Sequence, residues 1–436
     1  MDTPIEDFVR QYGEEGLLRL HMPGHKGSLR LGVEPLDITE VHGADSLYEA
    51  EGIIAKSEGN ASALFGCPTF YSTEGSSQCI RAMLHLATMG KSRVVAAARN
   101  VHKTFLSAAA LLDLQVEWLY PQEQESYLSC VLEPEAVERL LRQKSVDALY
   151  VTSPDYLGNV ADIAALAEVC HRYGTLLLVD NAHGAYLKFL EESLHPMDLG
   201  VDLCCSSAHK TLPVLTGGAY LHIAALHREL VEQGKDALAL FGSTSPSYLI
   251  LQSLDLFNGD REFPRQVREL AAAVDALKGR MRNLGWTLYG DEPLKLTLCP
   301  KDWGYTGQEL ATYLREQGGE CEFADPDYLV LMFGVDNGME SIRWLEKVLG
   351  VLPRKAISQS LPPVPSVGMK VLSVRQAMLG RSVLLPVEDC VGRVLASPCV
   401  GCPPAVPILV CGERIDEAAL ECFRYYGVDR CRVVDK

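Results

Sequence analysis

The chain has no run approaching the roughly 20 apolar residues of a membrane span, no basic block, and no close, regular cysteine pattern. Each absence removes a class. Without clustered lysine and arginine, and with a net charge of −17, a phosphate-backbone partner is not expected, so nucleic acid is excluded as a ligand. The opening "MDTPIEDFVRQYGEEG" is acidic and has no apolar core of a signal peptide, which predicts a cytoplasmic protein with no membrane association. The 14 cysteines are scattered, and several sit inside apparent strands, as Cys204 and Cys205 do. They read as reduced, small core residues rather than a disulfide framework. Internal repeats and low-complexity tracts are also missing.

One cysteine group is weighed separately. Cys399 and Cys402 form a CxxC flanked by Cys390 and Cys411, and four thiolates suit zinc. The outer two are single where a second close pair is the usual partner, so no metal is expected.

What is present is the alternation of an α/β protein. At 436 residues with 47% hydrophobic and 22% charged composition, the chain is long enough for two or three domains with real cores. The runs "RVVAAA", "VDALYVT", "TLLLVD", "DLCCSS" and "GAYLHI" read as buried strands, and Ile163, Leu166, Ala167 and Cys170 recur at helical spacing between two of them. That pattern predicts a mostly parallel sheet. Ligand sites in such sheets lie beyond the carboxyl ends of the strands, where this sequence places His102, Ser153, Asp180, Ser207, His209 and Lys210.

The organisation predicted is an N-terminal arm over 1–45, a large domain over 46–262, a small α/β domain over 263–352, a proline- and serine-rich linker over 353–368, and a C-terminal domain over 369–436. A long amphipathic helix, with Val267, Leu270, Val274, Leu277, Met281 and Leu284 on one face, opens the small domain. A capping box, Thr306 to Glu309, starts a helix near 307.

Lys210 at the mouth of a sheet has two readings, a solvated strand-end cation or an amine that forms a Schiff base. Asp180, thirty residues earlier, ends "LLLVD" where a pyridinium nitrogen would need a carboxylate, although strand-end aspartates more often cap turns. In "YSTEGSSQCIRAMLHL", Gly75, Ser76 and Ser77 precede a helix carrying Ile80, Met83 and Leu84. Helix-start amides with two hydroxyls make a phosphate cradle, but small polar residues also cap most helices, and Glu74 would repel phosphate unless it points away.

Taken together, these parts resemble the pyridoxal-phosphate enzymes of the aspartate aminotransferase fold, and within them the Orn/Lys/Arg decarboxylases. The resemblance rests on "LHMPGHKG" (20–27), "DITEVHGADSLYEAEGII" (37–54), "RNVHKTF" (99–105), "VDNAHGAY" (179–186), "SAHKTLPVLTGGAYLH" (207–222), "STSPSYLILQSLD" (243–255) and "CPPAVPILVCGE" (402–413), in the family's order. It implies that Lys210 is the Schiff-base lysine of pyridoxal 5'-phosphate, with His209 beside it and Ser207 contacting the phosphate. Asp180 would pair with the pyridine nitrogen, Ala182 pack under the ring and His102 stack over it. Gly75, Ser76 and Ser77 match the phosphate loop, and His183 completes the DxAHG pattern. Thr244 resembles the residue that reaches the phosphate from a neighbouring subunit, which implies a homodimer with shared sites.

The implied activity is decarboxylation of arginine, lysine or ornithine to the amine, a polyamine precursor. Lys210 or His209 would reprotonate the α-carbon. The alternatives are another pyridoxal-phosphate reaction, transamination or Cα–Cβ cleavage, or a non-catalytic relative that binds a partner. Glu413 reads either as a contact for a cationic substrate end or as an exposed helix-start acid.

This chain departs from the family's pattern at Asn181, Ala405, Cys411 and "TGGAY". It lacks the receiver-like N-terminal domain of the large inducible decarboxylases, so their decameric assembly is not expected. "HMPGHKG", with His21, His25 and Lys26, reads as an active-site cover by the resemblance, with metal binding the other reading. Tyr425 and Tyr426 read as C-terminal packing.

Overall fold

A computed structural model describes residues 1–121, 126–357, 360–363, 367–398 and 404–435. The chain divides into two compact units, 1–91 with 163–264 and 92–162 with 265–436. The expected 46–262 large domain is thus cut at residues 91 and 162.

Seven short strands follow one another as β1 (Thr69–Ser72), β2 (Val94–Ala98), β3 (Gln115–Leu119), β4 (Ala148–Thr152), β5 (Leu176–Asp180), β6 (Leu203–Ser206) and β7 (Ala219–Ile223). All five apolar runs read from the sequence are strands. The two it does not single out have clear reasons. β1 is only four residues, and β3, "QVEWL", is half-buried and carries Gln115 and Glu117, so neither shows an unbroken apolar run.

In the first unit the order is β1-β7-β6-β5. β5 and β6 are parallel, with Asp180 opposite Cys205. β7 is antiparallel to both of its neighbours. Two reversals make β1 run in the same sense as β5 and β6, so these three strands end on the same side. In the second unit β2 pairs in parallel with both β3 and β4.

Helices cover these strands where the periodicity predicts. Ile163–Arg172 buries Ile163, Leu166, Ala167 and Cys170, and Ser76–Thr88 buries Ile80, Met83 and Leu84. The 21-residue helix Phe263–Asn283 buries Val267, Leu270, Val274, Leu277 and Met281 almost completely. Each such side chain stabilises the fold by roughly 1.5–3 kcal/mol, so Val274→Asp would break this face. Leu284, expected on the same stripe, lies beyond the helix end and is 51% exposed.

The rest of the second unit adds β8 (Leu288–Tyr289), β9 (Lys295–Leu298), β10 (Phe323–Ala324) and β11 (Leu329–Met332), an antiparallel sheet in the order β10-β11-β9-β8. The helix Gly307–Glu316 starts on the expected capping box, with Thr306 and Glu309 satisfying each other's backbone amides. Near the C-terminus, β12 (Ser382–Pro386) pairs antiparallel with β13 (Arg430–Val434). Residues of this segment share one core with the preceding ones: Leu395, Ile415, Phe423 and Val433 cluster with Leu128, Leu157 and Val330. Tyr426 meets Tyr127 edge-on, and Tyr425 donates a 2.8 Å hydrogen bond to Asp327 and accepts one from Lys301. Beyond packing, this tyrosine pair therefore joins a buried ionic cluster.

Candidate active site

Three strand ends of the first unit supply the site. β1 ends at Ser72 and turns through Gly75, which has φ +70°, into the helix Ser76–Thr88. A side chain is disfavoured at that φ, so glycine is the residue the turn accepts. The turn is pinned from within by Ser72, whose hydroxyl lies 3.1 Å from the Gly75 carbonyl and 2.5 Å from Gln78 Oε1.

It is also pinned by the "TGGAY" segment. The Gly75 amide donates to the Gly217 carbonyl at 2.7 Å. A Cβ on Gly217 would come within 2.8 Å of the Thr73 carbonyl oxygen, and one on Gly218 within 2.4 Å of Val214. Gly217 permits this close backbone approach and Gly218 leaves room for the Val214 side chain, functions the sequence motif alone did not reveal.

At the helix start the Ser207 hydroxyl donates to the Ser76 hydroxyl at 2.8 Å. Two hydroxyls beside the unclosed amides of a helix N-terminus match the donor set a phosphate needs. Glu74, beside this turn, accepts a hydrogen bond from the Ser243 amide. Thr244, the next residue, is exposed.

β5 ends at Asp180, 1% exposed. Its Oδ1 accepts from the Ala182 amide at 3.2 Å. The turn that follows is held by Asn181, whose amide donates to the Cys205 carbonyl and whose side chain donates to Ser206 Oγ at 3.2 Å. Ser206 in turn meets buried His222, which meets Thr69 on β1. This buried polar chain was not anticipated, and single polar residues inside apolar runs were its only sequence signal.

The same turn presents His183, buried, with Nε2 3.1 Å from Lys210 Nζ. Lys210 itself is exposed on the four-residue helix Ala208–Thr211 that follows β6. His209, half-buried, directs Nδ1 and its own amide to the Gly218 carbonyl. Burial lowers its pKa, the Gly218 hydrogen bond opposes that shift, and Lys210 adds to it. The first unit therefore gathers Gly75, Ser76, Ser77, Asp180, Ala182, His183, Ser207, His209, Lys210 and Thr244.

Two predicted site residues belong to the second unit. His102 is the N-cap of the helix Lys103–Leu112, accepting from the Thr104 amide at 3.2 Å. Glu413 is 3% exposed and not at a helix start, since the last helix begins at Glu417 and is capped by Asp416. The expected exposed acid is corrected accordingly. Its carboxylate pairs with Arg99 at 3.2 Å and accepts from the Val410 amide at 2.8 Å, so its charge is already met inside the fold. Ala405, where the family often has glycine, is buried at φ +58°. Of the cysteine cluster, Cys390 and Cys411 are buried, and Cys399 and Cys402 lie outside the described residues.

A buried carboxylate at a strand end, a lysine amine beside a histidine, and a hydroxyl-lined helix start suit a pyridinium nitrogen, a carbonyl carbon and a phosphate in turn. Comparison with known proteins points the same way. The family model for the Orn/Lys/Arg decarboxylase major domain matches residues 3–275. The chain is similar to an arginine decarboxylase of Halalkalibacterium halodurans, 28% identical over 97% of this chain and 93% of that protein. It is likewise similar to one of Bacillus subtilis, 26% identical over 95% and 92%. Among solved structures it resembles a lysine decarboxylase of Francisella novicida, with a TM-score of 0.80 at 16% identity, covering 99% of this chain and 81% of that one. The constitutive lysine decarboxylase of E. coli aligns with a TM-score of 0.76 at 17% identity, covering 100% and 82%. At such identities these structures speak to the fold alone.

Proposed function

We propose that this chain, which belongs to the Orn/Lys/Arg decarboxylase family, releases the α-carboxyl group of a basic amino acid as carbon dioxide and leaves the corresponding amine. The family's cofactor is pyridoxal 5'-phosphate, which when bound supplies an electron sink for the pair left on the α-carbon. Lys210 would carry it through the side-chain amine, and Asp180 would accept a hydrogen bond from its ring nitrogen. The Gly75–Ser77 turn with Ser207 would hold the phosphate, and Ala182 would pack below the ring.

The observation that carries this reading is the 3.1 Å approach of His183 Nε2 to Lys210 Nζ, in the same unit as buried Asp180 and the Ser76–Ser207 hydroxyl pair. His183 orients the lysine amine. Return of a proton to the α-carbon falls to His209 or Lys210. Burial favours the neutral form of His209.

Arginine is the substrate to test first, because four of the relatives matched over nearly their whole length are named arginine decarboxylases. Lysine and ornithine follow, and each product would be a polyamine or its precursor. We further propose a cytoplasmic homodimer in which Thr244 of each subunit reaches the other's phosphate. Exposed Thr244 and an arm whose Leu18, Leu20, Leu29 and Leu31 are 70–88% exposed support a second copy as the cover. No helix among the described residues is long and apolar enough to cross a membrane.

The test is the absorption spectrum of the full chain with pyridoxal 5'-phosphate, borohydride trapping, and product analysis with arginine, lysine and ornithine. The expected result is a pyridoxyl adduct on Lys210 and agmatine, cadaverine or putrescine. An adduct with an oxo acid or a cleaved side-chain fragment would replace decarboxylation by transamination or Cα–Cβ cleavage. Absence of any adduct on Lys210 would sink the enzyme reading in favour of a binding role.

A further inference from the structure

The parallel pairing of β5 with β6 sets Asp180 directly beside Cys205. Both are almost completely buried, at 1% and 0% exposure, and the Cys205 Sγ lies 3.6 Å from Asp180 Oδ1, within hydrogen-bonding reach for sulfur. The Ala182 amide donates to the same oxygen at 3.2 Å. Two donors, a backbone amide of the following turn and a side chain of the neighbouring strand, thus converge on one carboxylate oxygen.

We infer that Cys205 is a positioning residue: its S–H donates to Asp180 Oδ1 and, with the Ala182 amide, fixes the rotation of the carboxylate that serves the cofactor's ring nitrogen. The inference rests on the functional reading above and adds a residue to it.

Three physical points support it. Two donors on one oxygen restrict rotation of the carboxylate about its Cβ–Cγ bond more than either alone and so preorganise the acceptor. A thiol is a weak donor, so it restrains the carboxylate without neutralising it as a lysine or arginine would. Burial, followed by the nearby charge of Asp180, pushes the Cys205 thiol well up, which keeps the proton on sulfur where it can be donated. Cys204 and Cys79 are also fully buried, and their thiols are likewise pushed up mainly by burial, with a smaller contribution from Asp180. The thiols in the neighbourhood of the carboxylate are therefore kept neutral. Removal of an ordinary hydrogen bond corresponds to an effect of about three- to tenfold on an equilibrium constant.

The experiment uses the full chain as wild type, Cys205→Ala and Cys205→Ser, with pyridoxal 5'-phosphate labelled with ¹⁵N at the ring nitrogen. The readouts are the cofactor dissociation constant, the ring-nitrogen chemical shift at pH 7, and the melting temperature of each apoprotein. Expected for Cys205→Ala is cofactor binding weakened about three- to tenfold, with the ring signal displaced toward that of the unprotonated pyridine. Cys205→Ser, which keeps a donor, returns both toward wild type even where its apoprotein melts as low as the alanine variant. Equal losses in both variants that track apoprotein stability, with an unmoved ring signal, would make Cys205 a packing residue and overturn the inference alone. Wild-type protein that takes up no cofactor would overturn the functional reading and this inference with it.

Discussion

Asp180 and Glu413 are both buried carboxylates, 1% and 3% exposed, yet the fold treats them differently. Glu413 has its own cation, Arg99, at 3.2 Å. Asp180 takes neutral donors, an amide and a thiol. The contrast teaches that burial alone does not mark a functional acid. A carboxylate paired with an internal cation serves the scaffold, and one at a strand end that accepts from an amide and a thiol is placed where an external cation could reach it.

That contrast is open to four tests. Glu413→Gln leaves the Arg99 guanidinium buried without its counter-charge and should cost about 3–5 kcal/mol of stability, read from denaturant unfolding. A drop in turnover with unchanged stability would instead return Glu413 to the substrate site. Asp180→Asn should do the reverse, lowering carbon dioxide release from arginine by about a hundredfold or more while leaving the melting temperature within a few degrees of wild type.

A third buried acid sharpens the comparison. Asp325 accepts from the Asp327 and Tyr328 amides through Oδ1, but burial pushes it up to about 7. Its folded-state pKa exceeds its unfolded value, so the stability it contributes is fully present below about pH 4 and is lost as pH rises through about 7. Asp325→Asn should therefore flatten the pH dependence of melting between pH 5 and 8, by on the order of 2 kcal/mol. An unchanged profile would mean that Lys301 and the Asp327 and Tyr328 amides already compensate the charge.

The smallest effect is at Ala405, held at φ +58°. Ala405→Gly should stabilise the chain by about 0.5–1 kcal/mol, since relief of left-handed strain outweighs the added chain entropy. A destabilised glycine variant would show that the methyl packing dominates.

Much of this was legible in the chain itself. Apolar runs ending in Asp180 and just before Lys210 announce parallel strands with chemistry at their carboxyl ends, because a strand buried on both faces must be apolar along its length and can turn polar only where it leaves the sheet. Helical spacing told which faces of Ile163–Arg172 and Phe263–Asn283 are buried. It overran at Leu284 because periodicity does not know where a helix stops.

The functions of single polar residues were less legible. Glycines 217 and 218 looked like a lost motif, and only the folded chain shows Gly217 letting the backbone close on Gly75 and Gly218 leaving room for the Val214 side chain. Glu74 looked like a repulsive charge, and only the folded chain shows it accepting from the Ser243 amide.

Local periodicity and composition, which act over a few residues, sufficed for the class of fold, while the lysine and aspartate on which the proposed chemistry turns were singled out by the family resemblance. Pairing needed the folded chain. That Arg99 meets Glu413 across 314 positions and Cys205 meets Asp180 across 25 depends on strand register and on loops closing over distance. Hydrogen bonds and ion pairs are set by ångström-scale proximity, which sequence separation does not encode.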